Sequence, residues 1–180
     1  MPKSYVVLTA IGPDRSGLVD NISEYVYQHG GNVEGSRMAR LGGEFAIIMF
    51  ISGEPSATTA IENDIETLIH GAKLICYIKP TAAPEEHRPQ GLALPYELSV
   101  HSMDHPGIVR AVAHQLAERG VNIESLDTFV DSAPHTGTTV FHLRARLSLP
   151  AQLNIPKFRA ELETLAESLN VDINLSAADD

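Results

Sequence analysis

The stretch GPDRSGLV, residues 12–19, sits between an apolar run ending in TAI and a segment, LVDNISEYV, with helical spacing. Asp14, Arg15, Ser16 and Gly17 therefore occupy a strand-to-helix corner. Such a corner serves as a phosphate cradle, a catalytic turn or a pocket for something smaller. Ninety residues on, SMDHPGIV (102–109) presents the same corner with Asp104, His105, Pro106 and Gly107. Sliding the chain by that distance aligns Leu8, Asp14, Gly17, Val19, Gly30, Asn32 and Glu34 with Leu98, Asp104, Gly107, Val109, Gly120, Asn122 and Glu124, without a gap. An internal repeat outranks any single-residue argument, so the chain is read as two copies of one unit.

Each copy follows one plan. In the second, YELSVHS alternates as a strand, and PGIVRAVAHQLAERG places Ile108, Val112 and Leu116 on one helical face. Gly120 stops that helix, as Gly30 stops the first, because glycine tolerates the left-handed C-terminal conformation. Two strands follow around SAPHTG; in copy one the hairpin closes at Gly42-Gly43. A second helix, PKFRAELETLAESL, carries Pro156 in its first turn and the stripe Phe158, Leu162, Leu165, Leu169. VDINLS, or AKLICYIK in copy one, closes the unit. Strand, helix, strand, strand, helix, strand is the ferredoxin-like βαββαβ order, an α+β fold with antiparallel sheets and helices on one face. The proline-rich PTAAPEEHRPQGLALP between the copies reads as a linker, which predicts domains at 1–80 and 95–180 joined by 81–94.

Bulk properties narrow the function. Thirteen basic against twenty-three acidic residues leave a net charge of −10, with no concentrated basic patch, which argues against direct nucleic-acid binding. The longest apolar stretch, FAIIMFI (45–51), is too short to span a bilayer, and the N-terminus lacks a signal peptide's apolar core. A lone cysteine, Cys76, suits a reducing compartment, so a cytoplasmic location is expected. Cys76 lies in an apolar strand and reads as core rather than nucleophile. No nucleophile elbow, Walker loop or dinucleotide fingerprint is present, and His101, Asp104 and His105 match no zinc spacing. No catalysis, cofactor or metal is expected.

The corners favour a small charged ligand. Free N–H groups and the positive dipole end of the first helix attract a carboxylate, and Gly17 and Gly107 allow close approach. Asp14 and Asp104 offer a partner for an ammonium group, and Asn32 and Asn122 an amide that donates and accepts. Arg15 and His105, at matching positions, are candidates to meet a ligand carboxylate or to lie solvated in the loop. The same aspartates serve equally well as helix caps, and the asparagines as turn residues.

At these residues the chain resembles a known family. GPDRSGLV…GGNVE and MDHPGIV…RGVNIE are similar to the opening of an ACT domain, a small-molecule-sensing βαββαβ module. Two copies with a short linker resemble the glycine cleavage system transcriptional repressor family. The resemblance implies an amino-acid ligand, glycine foremost, held between modules near the corner and the asparagine. Carried over by position, it implicates Asp14, Ser16, Gly17 and Asn32, and likewise Asp104, Pro106, Gly107 and Asn122. It also implies repression exerted through a transcriptional activator protein. The rival reading is a regulatory subunit that binds an amino acid and modulates a metabolic enzyme. Formyltetrahydrofolate deformylase and some phosphoserine phosphatases carry a similar corner in regulatory domains, but with separate catalytic domains.

The two outer sheet faces differ in chemistry. In copy two they are expected to carry Glu97, Ser99, His101, His142, Arg144, Arg146, Asp172 and Asn174. Copy one offers Tyr5, Val7, Ile11, Ile75, Tyr77 and the unbroken FAIIMFI, whose inward and outward residues alternation does not separate. A sheet facing water should alternate, so copy one is expected to pack against a second copy in a homodimer or against another protein.

Overall fold

The computed structural model describes residues 3–84, 93–132 and 139–178. The chain divides into two units, Met1–Arg88 and Pro89–Asp180. The first unit runs β1 (Ser4–Pro13), α1 (Leu18–Gln28), β2 (Asn32–Leu41), β3 (Glu44–Gly53), α2 (Pro55–Asn63), α3 (Ile65–Ala72) and β4 (Ile75–Thr81). The second runs β5 (Ala93–Met103), α4 (Ile108–Glu118), β6 (Asn122–Ser132), β7 (Thr139–Pro150), α5 (Ile155–Leu169) and β8 (Asp172–Ala177). The sheet orders are β2-β3-β1-β4 and β6-β7-β5-β8, with every pairing antiparallel. This is the expected ferredoxin-like α+β arrangement, built twice. Most of the expected linker, and the tip of the SAPHTG turn, lie outside the described residues.

Side-chain parity along the strands builds each core. Val6, Leu8 and Ala10 of β1 and Phe45, Ile47, Met49 and Ile51 of β3 point toward the helices and are buried. They pack with Leu18, Ile22 and Val26 of α1. The second unit repeats this with Leu98, Val100, Leu143 and Leu147 beneath Ile108, Val112 and Leu116. Phe158 and Leu162 of the α5 stripe are buried, and Leu165 and Leu169 pack at its edge. Each core is assembled from its own unit's residues.

Local signals account for the turns. Gly42 and Gly43 both take positive φ, 59° and 86°, as a tight hairpin of matching twist requires. Asn154 caps α5 by accepting the Lys157 N–H at 3.0 Å, one residue ahead of a proline-containing first turn. The second helix of the first unit departs from its counterpart. It breaks at Asp64, where Asn63-Asp64 supplies two poor helix formers and the Asp64 carboxylate accepts from the Thr67 hydroxyl at 2.7 Å. Tyr25 ties α1 to α2: its hydroxyl donates to the Ile61 carbonyl at 2.6 Å, and burial pushes its pKa up to about 12, with the Asp64 carboxylate adding to the effect.

The register settles the face that alternation left open. Ile47 is buried while Ile48 is 49 % exposed on the outer face. Around Ile48 lie Val7 and Ile11 of β1 and Ile75 and Tyr77 of β4, the last two 75 % and 66 % exposed. Tyr5 and Phe50 stack at 5.3 Å on the same surface. The first unit thus presents an apolar outer sheet face, and the second a polar one.

Candidate functional site

Each corner is built by a glycine. Gly17 is the N-cap of α1 with φ 89°, and Gly107 that of α4 with φ 102°; no side chain caps either helix. Both are left-handed, a conformation that glycine adopts without strain. A Cβ at either position would meet nothing within 4 Å, so the space beside each glycine is open. Asp14 and Asp104 are therefore not the caps that their position before a helix suggests. The chain needs three further residues to turn from strand to helix, and the aspartates fall short of the N–H groups.

Backbone bonds hold the aspartates in place instead. The Asp14 N–H donates to the Gly43 carbonyl at 3.0 Å, and the Asp104 N–H to that of Thr139 at 3.2 Å. The Asp14 carboxylate faces Arg40 Nη1 at 3.4 Å in an exposed pair of small energetic weight. Asp104 lacks that cation, because the position matching Arg40 is Val130. Arg15 is exposed and His105 half-buried, and each is tied to a helix end. Arg15 donates from Nη2 to the Ala72 carbonyl at 2.8 Å, at the end of α3. His105 Nε2 lies 3.1 Å from the Leu169 carbonyl, at the end of α5. Each satisfies a carbonyl that a helix C-terminus leaves without a partner. Sequence gives no sign of this, since the carbonyls lie far along the chain. Ser16 and Pro106 are exposed beside the glycines.

The asparagines lie elsewhere. Asn32 pairs across the sheet with Ser52, and Ser52 with Tyr5, whereas Asp14 follows Pro13 at the opposite end of β1. From Tyr5 to Pro13 is roughly 26 Å at the usual strand rise. Within one unit, then, no single amino acid touches both the corner and the asparagine. Asn32 donates to Glu34 Oε1 at 3.2 Å, where Ser52 also donates at 2.5 Å. Asn122, Ser148 and Glu124 repeat the arrangement at 2.6 and 2.8 Å. Both glutamates sit where the β2–β3 and β6–β7 registers shift, a bulge that re-aims the side chain.

Hydrogen bonds from Ser52 first, then Lys3 and Asn32, hold the Glu34 carboxyl below its ordinary 4.5. Its contribution to stability is therefore complete above that value and lost as pH falls through the lower folded-state value. Glu34→Gln is expected to flatten the acid limb of a stability–pH curve below pH 4.5. An unchanged limb contradicts this role. Cys76 is half-buried against the core, and burial pushes its thiol up, away from thiolate reactivity.

The first unit matches the family model described as ACT domain over residues 4–78. Over the whole chain, the structure superimposes on a crystal structure of a protein from Galdieria sulphuraria with a TM-score of 0.85, at 31% identity, covering 99% of this chain and 100% of that one. A crystal structure provisionally assigned as a glycine cleavage system transcriptional repressor aligns with a TM-score of 0.75 at 28% identity, covering all of both chains. The curated glycine cleavage system transcriptional repressor of Escherichia coli (strain K12) is 29% identical over 169 residues, 92% of this chain and 86% of that protein. The first unit carries an ACT domain, and the second repeats its strand and helix topology. The two units share topology, corner and bulge network. They differ at Ser16 against Pro106, at Arg40 against Val130, and on their outer sheet faces. Among the described residues, no helix is long and apolar enough to cross a membrane, and no group of three metal-ligating side chains converges.

Proposed function

We propose that this chain is a non-enzymatic sensor of a free amino acid, with glycine the leading candidate, that controls transcription through a protein partner in the cytoplasm. The observation that carries the reading is the duplicated corner: a helix N-terminus without a side-chain cap, open space at its glycine, and an aspartate fixed just before it by its backbone. The helix N–H groups receive a carboxylate, and Asp14 or Asp104 receives an ammonium. Asn32 and Asn122 stand apart from the corner of their own unit and enter this reading as anchors of Glu34 and Glu124. Likeness to repressors of the glycine cleavage system along most of their length supports a regulatory rather than a catalytic role. The net charge of −10 disfavours contact with DNA and favours action on an activator protein.

The apolar outer face of the first unit supports the partner side of the proposal. A homodimer joined through this face buries the same patch twice by symmetry. A thermal-shift screen of the full chain against the common α-amino acids tests the sensor. A ligand at a hundred times its Kd is expected to stabilise the folded chain by about 2.7 kcal/mol. Glycine is expected among the ligands that raise the midpoint; no shift with any of them overturns the reading.

A further inference from the structure

A sheet surface that faces water needs polar side chains and nothing more, yet the outer face of the second unit is organised. Ser125, Arg146, Glu97 and Ser176 form one row across its strands. Asp127, Arg144, Ser99 and Asn174 form the next. Together they line a hollow of about 410 Å³, within the range of small-molecule sites. The same rows in the first unit are Gly35, Phe50, Val7, Lys79 and Arg37, Ile48, Thr9, Tyr77. The backbone is repeated, and the chemistry on it is replaced.

Alternate residues of a strand stand on one face about 7 Å apart, so Arg144 and Arg146 project side by side from β7. Arg146 meets Glu97 loosely, Nε to Oε1 at 3.5 Å, with both side chains exposed. Arg144 rests over the Phe129 ring, 5.8 Å from its centre, rather than on a carboxylate among the described residues. The hollow therefore offers two guanidinium forks against two carboxylates, Glu97 and Asp127, over a hydroxyl and amide floor. It is formally neutral and densely charged. A bare anion meets both carboxylates there, and a bare cation both arginines. A zwitterion satisfies both signs.

We propose that this hollow is a second ligand site, separate from the corners, for a free α-amino acid whose carboxylate is held by Arg144 and Arg146 and whose ammonium is held by Asp127. Planar guanidinium forks match a carboxylate in a way lysines do not. The inference does not depend on the corner reading.

Calorimetric titration of the full chain with glycine, L-serine and L-glutamate, and with acetate, methylammonium and phosphate as controls, tests it. At least one amino acid is expected to bind, with each control at least tenfold weaker. Arg144→Gln is expected to weaken that binding at least tenfold, and Arg144→Lys to restore it only in part. Both changes fall on an exposed side chain, and circular dichroism checks that the fold is kept. Asp104→Asn, at the corner, is expected to weaken a different binding phase from the one that Arg144→Gln weakens, so that each variant keeps one phase. Equal binding of acetate or phosphate, or no effect of Arg144→Gln, overturns the proposal. Binding lost only in the corner variants would leave the corner alone as the sensor. Binding lost only in Arg144→Gln would support this site and overturn the corner.

Discussion

Val7→Lys is expected to convert a self-associating protein into a monomer with its fold intact. Val7 lies on the outer face of β1, with Phe50 and Lys79 as its cross-strand neighbours. Its side chain takes no part in the core built by Val6, Leu8 and Ala10. A two-fold interface through this face receives the substitution twice. Each lysine removes a buried valine contribution of about 1.5–3 kcal/mol, and its charge must also be desolvated. Two such losses weaken the dimer by at least about a hundredfold, since each 1.4 kcal/mol is tenfold. Sedimentation velocity at tens of micromolar should show the shift, with an unchanged circular dichroism spectrum. A wild-type chain already monomeric there contradicts the dimer.

Phe158→Ala is expected to have the largest effect on stability, and to confine it to one unit. Phe158 is 1 % exposed on the core-facing side of α5, within the second core. Truncating a buried phenylalanine costs about 3–5 kcal/mol through lost transfer energy and the cavity left behind. Against about 5–15 kcal/mol for a whole domain, that is a large fraction. At about 4–8 °C per kcal/mol, the midpoint of the second unit should fall by more than about ten degrees. The first core contains no residue of the second, so residues 3–84 are expected to keep their protection. Hydrogen exchange resolved by peptide distinguishes the outcomes. Equal loss of protection in both units contradicts their autonomy.

The fold was legible because the chain states it twice. A gapless offset carries strand, helix and turn assignments from one copy to the other, and Gly42-Gly43 names its own turn. The parity of FAIIMFI was not legible, since both its faces are apolar, and only pairing to β1 turns Ile47 inward and Ile48 outward. The break at Asp64 has no counterpart in α5, so the repeat hides it. At the corner, the residues were legible but not their contacts. An aspartate before a helix reads as a cap, yet a left-handed glycine takes that position. The asparagines recur beside the corners in the repeat, but α1 carries the chain back along the sheet before Asn32. Sequence spacing does not show that reversal of direction.

The cap geometry also makes the aspartates fit for substitution, because neither holds a helix end. Asp104 is the sharper choice, since Asp14 already faces Arg40 and the matching position in the second unit is Val130. A charge-assisted hydrogen bond to a desolvated ammonium contributes on the order of 1.5–3 kcal/mol, so its loss weakens binding by about tenfold or more. The decisive measurement is calorimetric titration of the full chain with glycine, comparing wild type, Asp14→Asn and Asp104→Asn. The account predicts saturable binding to the wild type, at least tenfold weaker binding to Asp104→Asn, and melting midpoints close to wild type in both variants. Absence of glycine binding, or unchanged affinity in both folded variants, would contradict it.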